Sequence, residues 1–195
     1  MQNLAELLQH YRFRFPEQIT LVDDFLSFLS TEKERPFHRE NLTRHMTGSA
    51  WLLDPSESKV LLTHHRKLNM WIQLGGHADG NPDILEVATR EAEEESGIHG
   101  ITPIATSIFD IDKHLIPARP EEPEHYHYDI RFLLKAPHPD FSISAESKSL
   151  GWLSFDDPFF QSDAAISIKR MHLKWVNYLI SEKTLPLESI SLVSV

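Results

Sequence analysis

The sequence predicts an α/β protein, more specifically an α+β arrangement in which a mixed sheet is sandwiched between helices. Strand-like segments stand on both sides of a central amphipathic helix, and a second long amphipathic helix follows the last of them. In the central helix, apolar residues recur at steps of three or four: Ile84, Val87, Ala88 and Ala92. This spacing places them on one helical face. Strands and helices in this order are typical of a mixed sheet with helices packed on its faces.

Bulk composition narrows the class of protein. The 195 residues suffice for one domain with a small addition, and the lack of cysteine excludes disulfides and a thiol nucleophile. A net charge of −10 argues against binding a nucleic-acid polymer through a basic face. No apolar run reaches the about 18 residues of a membrane span, and the N-terminus lacks a signal-like pattern. We therefore expect a cytoplasmic protein without membrane contact.

The pattern divides the chain into three parts. Residues 1–40 are predicted to form a helical extension, because apolar residues follow a helical period in 2–13 and again from about Thr20 onward. Residues 41–182 are predicted to form the main domain, and residues 183–195 a C-terminal tail. The extension either packs against the main domain or serves as a substrate lid or a dimer contact.

The main domain begins with strand-like sequence. Strand segments are predicted at residues 45–53, 60–64, 70–74, 104–111, 126–135 and 150–155. The first two flank a turn-rich stretch and predict a hairpin. The final helix is expected over residues 164–181. The proline-containing segment 110–124 is predicted to be a long loop that shapes a pocket, where His114 and Arg119 could meet a ligand.

The central helix is specified at both ends. Asn81 is expected to be its N-cap, because a short polar side chain can accept hydrogen bonds from the first helical amides. Pro82 suits the first turn, and Gly97 can supply the left-handed residue that ends the helix.

The same helix carries a concentrated acidic patch. Glu91, Glu94 and Glu95 stand at positions i, i+3 and i+4, so their carboxylates project onto one surface. Repulsion of this kind costs only tenths of a kcal/mol per pair, so the patch could be a solvated face. Alternatively, hard divalent cations such as Mg²⁺ could neutralise it.

The glycine turn before the helix favours the cation site. The spacing between Gly76 and Arg90-Glu91 resembles that of the Nudix box, and so does the order of the residues from Ala92 to Ile98. That pattern reads Gly, five residues, Glu, seven residues, then Arg-Glu-apolar-any-Glu-Glu-any-Gly-apolar. The specified positions agree except for the first Glu, where Pro82 stands. A pattern over this many positions is far more specific than a lone glycine motif.

The resemblance implies a Nudix-type α/β/α sandwich and hydrolysis of a diphosphate bond. The substrate would be a nucleoside diphosphate linked to another moiety, or a nucleoside triphosphate. The resemblance also implies one to three Mg²⁺ (or Mn²⁺) ions, held by the carboxylates of Glu91, Glu94 and Glu95 and by a backbone carbonyl of Gly75 or Gly76. Arg90 would orient one of the site's carboxylates.

Two features of the resemblance leave alternatives open. The missing first Glu helps tie the loop to the box Arg in the family, so Asp83 or Glu86 could substitute for it. The general base is either Glu91 in the box or a Glu from a later loop, for which Glu146 is the candidate.

A polar strand face is the second candidate part of the site. In residues 125–132, alternation places His125, His127, Asp129 and Arg131 on one face. This face either lines the substrate cleft or forms a cross-strand ion-pair set that faces water. We expect His127, Asp129 and Arg131 to bind substrate, together with His77 directly after the glycines. Their apolar neighbours are expected in the core.

A second class of function is compatible with the same sequence. The chain could be a ligand-binding or regulatory module that keeps the fold and has lost turnover, and Pro82 is the feature that favours this. Retention of the box Arg and of three box Glu residues favours the enzyme. A homodimer is possible, and the expected partner is a small diphosphate-containing molecule.

Overall fold

A computed structural model describes residues 3–32, 35–120, 122–145 and 147–184, with side chains to residue 179. The helices are α1 (Leu4–Arg14), α2 (Ile19–Glu32), α3 (Ile84–Ser96) and α4 (Ile166–Thr184). The first strands are β1 (Arg44–Leu53), β2 (Lys59–His65), β3 (Met70–Ile72) and β4 (Leu74–His77). The later strands are β5 (Thr102–Pro103), β6 (Asp110–Ile116), β7 (His125–Lys135) and β8 (Ser147–Ser154).

The described strands form one eight-stranded mixed sheet. Its main path runs β3-β2-β1-β7-β5, while β4 pairs with β1, β6 with β7 and β8 with β2. Only the pairing of β1 with β7 is parallel among the described strands. Its register sets His45 beside His127 and Thr47 beside Asp129. The mixed sheet between helices predicted from the sequence is confirmed.

Helices cover both faces of the sheet. On one face, a buried cluster combines side chains of α1, α2 and α3 with sheet residues such as Met46 and Tyr128. On the other face, α4 buries Ile168, Met171 and Trp175 against Trp51 of β1. The apolar face predicted for α3 is confirmed, because its four residues are all buried.

The N-terminal helices belong to the main core. Leu8 and Tyr11 of α1 and Phe25 and Phe28 of α2 are at most 1% exposed, and they lie in the same cluster as the sheet and α3. These residues therefore pack the extension against the main domain. The domain bounds at residues 40 and 182 stay a prediction, and residues 185–195 of the expected tail lie outside the described residues. Among the described helices, none combines the length and apolar character that crossing a bilayer requires.

The structure corrects two expectations about local elements. The segment 110–124 was expected to be loop, but its first half is β6, and the strand expected at 104–111 is mostly irregular. Antiparallel pairing explains the difference, because it sets Arg131 of β7 opposite Asp110 of β6. The positive charge of Arg131 compensates the negative charge of this acidic strand. The N-cap of α3 is Asp83 instead of Asn81. The expected C-terminal residue is confirmed, since Gly97 has a left-handed φ of 69°.

Candidate active site

Close approach between α3 and the sheet creates the site. A Cβ on Gly48 of β1 would lie 2.8 Å from the carbonyl oxygen of Ile84, so only glycine lets α3 pack so closely on β1. A Cβ on Gly76 of β4 would lie 2.3 Å from Oε2 of Glu91. The glycine turn therefore leaves the space that a box carboxylate occupies.

A cleft of about 400 Å³ opens at this junction. The box contributes Gly75, Gly76, Arg90, Glu91, Glu94 and Glu95 to its wall. The strands contribute His77, His114, His125, His127 and Asp129, and Arg119 follows from the loop after β6. Nearly all residues that the sequence singled out thus line one cavity.

The three box carboxylates differ in their surroundings. Glu95 is 6% exposed, and its Oε2 accepts a hydrogen bond from the backbone N–H of Gly75 at 3.2 Å. The side chain of Glu91 is half-buried, whereas that of Glu94 is 61% exposed. The patch is therefore not a uniformly solvated face, because two of its members are turned into the cleft wall.

Arg90 joins α3 to β4. Its Nη1 lies 2.8 Å from Oε1 of Glu91 and 3.3 Å from Oε2 of Glu94. Its Nη2 donates to the backbone carbonyl of His77 at 3.2 Å. One forked guanidinium thus orients two box carboxylates and holds the end of the glycine turn.

Other contacts hold the loop in which Pro82 replaces the first box Glu. Asp83 accepts from the backbone N–H of Glu86 as a helix cap, and Glu86 in turn accepts from the side-chain amide of Asn81. Neither contact involves Arg90. A bidentate pair between Arg39 and Asp79 fastens the same loop, and the hydrogen bonds from Arg39 lower the pKa of Asp79. The sequence did not single out either member of this pair.

The donor set suits a hard divalent cation. Glu91, Glu94 and Glu95 present carboxylate oxygens to one cleft, and the backbone of Gly75 and Gly76 borders the same space. Mg²⁺ and Mn²⁺ prefer such carboxylate and carbonyl oxygens, with water and phosphate oxygens completing the shell. The residues present therefore fit the cations that the box implies.

Asp129 lies at the floor of the cleft and is fully engaged. Its Oδ1 accepts from the hydroxyls of Thr47 at 2.9 Å and Ser49 at 2.7 Å. Its Oδ2 accepts from Nε2 of Gln73 at 3.1 Å and from Nε of Arg131 at 2.7 Å. Four donors, from β1, β7 and the residue between β3 and β4, fix this carboxylate, which is only 1% exposed.

Arg131 lies beneath the cleft. Its side chain is 2% exposed and forms ion pairs with Asp110 at 3.0 Å, Asp112 at 3.4 Å and Asp129 at 2.7 Å. The expectation that it lines the cleft or faces water is therefore corrected, because its side chain is buried and β6 supplies two of its partners. The core expected on the opposite face is present for Tyr128, while Tyr126 is 42% exposed.

Further cations complete the buried network around Asp110. This carboxylate also accepts from Arg170 and Lys174 of α4, with Nζ of Lys174 at 2.7 Å. Burial opposes ionisation of Asp110, but the hydrogen bonds and charges of these cations keep its pKa below the usual value. The network joins α4 to β6 and, through Arg131, to β7, which carries His125 and His127.

Five imidazoles gather at the cleft: those of His45, His77, His114, His125 and His127. The sequence did not single out His45, whose position beside His127 follows only from the parallel pairing of β1 with β7. Burial, and then the charge of Arg39, lower the pKa of His77 to about 4. Burial and the neighbouring imidazoles lower the pKa of His127 to about 2. His77 and His127 are therefore neutral near pH 7.

Glu146, the loop candidate for the general base, lies outside the described residues. His114 and Arg119, which the sequence placed on a pocket loop, both line the cleft. His114 does so from a strand, and its Nδ1 lies 3.1 Å from Oδ2 of Asp112.

The chain matches the family model of the NUDIX domain over residues 43–176. The structure resembles a hydrolase of the NUDIX family from Clostridium perfringens, with a TM-score of 0.55, 28% identity, and coverage of 71% of this chain and 99% of that chain. It shares its fold with the MutT protein from Methanosarcina mazei Go1, with a TM-score of 0.51, 16% identity, and coverage of 71% and 97% respectively. A comparison with curated proteins found no match.

The E. coli dihydroneopterin triphosphate pyrophosphohydrolase shares the fold at a TM-score of 0.51 and 14% identity, over 68% of this chain and 95% of that chain. The family match spans more than half of the sequence and includes the glycine turn, the box helix and the cleft strands. The chain therefore belongs to the Nudix hydrolase family and is a pyrophosphohydrolase.

Proposed function

We propose that this cleft hydrolyses a diphosphate bond in a nucleoside diphosphate linked to another moiety, or in a nucleoside triphosphate, with Mg²⁺ (or Mn²⁺) as cofactor. The observation that carries the proposal is the convergence of Glu91, Glu94 and Glu95 on the glycine turn, with Arg90 bridging them. Three carboxylates together in one cleft would repel an anionic substrate. A bound cation reverses that preference.

Glu91, Glu94 and Glu95, with a backbone carbonyl of Gly75 or Gly76, would hold the cation. When bound, it neutralises phosphate oxygens and lowers the pKa of a coordinated water. The chain's own contribution is to fix these oxygens before substrate arrives. Glu95 is fixed by the amide of Gly75, and two of the carboxylates are fixed by Arg90.

Proton removal from the attacking water falls to Glu91 or to Glu146. Glu91 borders the cleft beside Gly76, which supports its candidacy by position. Glu146 is kept as the alternative on sequence grounds. A matched pair of variants, Glu91→Gln and Glu146→Gln, separates them, because only loss of the base removes the acidic limb of the pH–rate profile.

His77, His127 and Asp129 are the proposed contacts for the rest of the substrate. All three line the cleft that the box carboxylates also line. Asp129 already accepts four hydrogen bonds, so it would contact substrate as part of the cleft floor and not as an unoccupied acceptor. Arg131 acts through Asp129 as a positioning residue, since its own side chain is covered.

A panel of nucleotides tests the proposal. The purified chain is incubated with nucleoside triphosphates and nucleoside diphosphate conjugates, with Mg²⁺ or with a chelator, and the phosphate-containing products are identified. We expect phosphate-containing products from at least one class of nucleotide, and only when the cation is present. Binding without release from any compound would instead support the regulatory module that Pro82 suggests.

A further inference from the structure

The histidine cluster has a composition that diphosphate hydrolysis at the box does not require. His45 comes from β1, His77 from β4 and His127 from β7. The ring centroid of His45 lies 5.0 Å from that of His77 and 4.8 Å from that of His127. The rings of His77 and His127 are 5.0 Å apart. Three side chains from three strands therefore converge on one point.

The ring nitrogens converge as well. One nitrogen from each of His45, His77 and His127 lies within 4.8 Å of the other two. Zinc binds imidazole nitrogen at about 2.0–2.1 Å, so small ring rotations bring all three nitrogens within reach of one ion. Each of the three residues lies in a paired strand, so the backbone that carries the rings is held in place.

A hydrogen bond to the other ring nitrogen sets the tautomer of His45. Nδ1 of His45 lies 3.2 Å from the backbone carbonyl oxygen of Asn41, to which it donates. Nε2 of His45 therefore carries the lone pair. At the edge of the cluster, Nδ1 of His125 donates in the same way to the carbonyl oxygen of Pro123 at 2.9 Å. Carbonyl partners of this kind are the usual outer shell of metal-binding histidines.

Two buried ring nitrogens in the cluster need a partner. Nε2 of His45 and Nε2 of His77 are buried and have no hydrogen-bond partner among the described residues. His45 itself is 1% exposed, so water does not reach it freely. A buried polar atom without a partner is rare and costly in folded proteins. A bound cation would give both nitrogens a partner.

An anion is a poorer match for the same three rings. To attract phosphate, the imidazoles would need to be protonated, and three positive charges about 5 Å apart would repel one another. Neutral imidazole is instead a ligand that suits zinc, copper and nickel, whereas carboxylate oxygen suits magnesium and manganese.

We propose that His45, His77 and His127 form a nitrogen-donor site for a divalent transition metal of the zinc class, separate from the carboxylate site on α3. The two sites share one cleft but select ions by different donor chemistry. His77 and His127 border the cleft, so an ion held there lies next to the substrate. Its occupation does not depend on turnover at the box.

Zinc titration tests the proposal. The full-length, metal-free protein is titrated with Zn²⁺ in excess Mg²⁺ against a chromophoric chelator, and the loaded protein is examined by X-ray absorption. We expect one tight equivalent of zinc, with imidazole nitrogens at about 2.0–2.1 Å. His45→Gln and His127→Gln should each weaken binding by about 100-fold or more, because even outer-shell changes cost 10–100-fold.

Two control variants separate this site from its neighbours. His64→Gln makes the same chemical change at a half-buried histidine that stacks on Trp71, and it should leave zinc binding unchanged. Glu94→Gln alters the box and should also leave it unchanged. Zinc binding lost in Glu94→Gln but retained in both cluster variants would overturn the proposal, as would no tight zinc in the wild-type protein. If the cluster variants do not fold, an oxygen-only shell around zinc in the wild-type protein overturns it.

Discussion

The carboxylate of Glu95 accepts a hydrogen bond from the backbone N–H of Gly75 at 3.2 Å, which joins the box helix to the glycine turn. This contact links residues that lie 20 positions apart in the chain. It holds a buried carboxylate in the cleft wall before any cation binds, so the site is built into the fold.

Glu95→Gln should separate the fold from the chemistry. Glutamine keeps an acceptor oxygen for the amide of Gly75 but removes the negative charge. We expect turnover to fall by about 100-fold or more, because a metal's stabilisation of developing charge is worth several kcal/mol. The melting temperature should stay close to that of the wild type. Parallel kinetics and thermal melts measure both, and a variant with normal turnover at saturating Mg²⁺ would reduce Glu95 to a structural residue.

Gly76→Ala should affect activity more than stability. The added Cβ would meet Oε2 of Glu91 at 2.3 Å, and this flexible carboxylate can move away. Displacing a site group by about 1 Å can cost about 100-fold in rate. Gly151→Ala is the control, because a Cβ there meets its neighbours at an ordinary 3.6 Å. Equal rates for the two variants would show that the position of Glu91 is unimportant.

Arg131→Ala should destabilise the fold. It removes the cation that pairs with Asp129, which is 1% exposed, and breaking such a buried pair typically costs about 3–5 kcal/mol. Denaturant unfolding measures this cost. Arg12→Ala is the matched control, since Arg12 forms an exposed pair with Asp23 at 3.3 Å and should change stability by about 1 kcal/mol at most. A raised KM with unchanged stability would instead indicate that Arg131 contacts substrate.

Asp54→Asn should weaken the β1–β2 hairpin in a pH-dependent way. The carboxylate accepts from the backbone N–H groups of Ser58 at 2.8 Å and Lys59 at 2.7 Å. Burial raises its pKa, but these hydrogen bonds and that of Ser56 outweigh burial, so the net pKa is below the usual 3.8.

The sign of the effect follows from that lowered pKa. A carboxylate with a lowered pKa in the folded state stabilises the protein above the unfolded pKa, and it loses this contribution as pH falls through the folded value. Asp54→Asn should therefore cost about 1–2 kcal/mol at pH 7 and progressively less below about pH 4. Unfolding curves for both proteins across this range test it. A cost that does not change with pH would show that the charge of Asp54 is immaterial.

Local patterns in the sequence were sufficient for much of the fold. Helix α3, its apolar face and its end at Gly97 follow from spacing within a few residues. The hairpin of β1 and β2 follows from its turn-rich connection. The box residues of the site were also readable, because they lie within one short segment.

Long-range pairing accounts for what the sequence did not reveal. The acidic strand β6 depends on Arg131 from β7 and on cations from α4. The convergence of His45 with His127 depends on the parallel register of β1 and β7. Alternation alone could not decide whether the polar face of β7 met water, a ligand or another strand. The structure shows that His127 lines the cleft, whereas Arg131 belongs to a buried network of ion pairs.

We propose that the box carboxylates hold a catalytic divalent cation. To test this, wild type, Glu94→Gln and Glu86→Gln are compared in Mg²⁺-dependent product release from a substrate identified in the nucleotide panel. Glu86 lies on the same helix but is exposed outside the cleft, so its variant makes the same chemical change on α3 away from the site. We predict that Glu94→Gln loses turnover and that Glu86→Gln retains it, with both proteins folded. Equal turnover in all three proteins at saturating Mg²⁺ would contradict the claim.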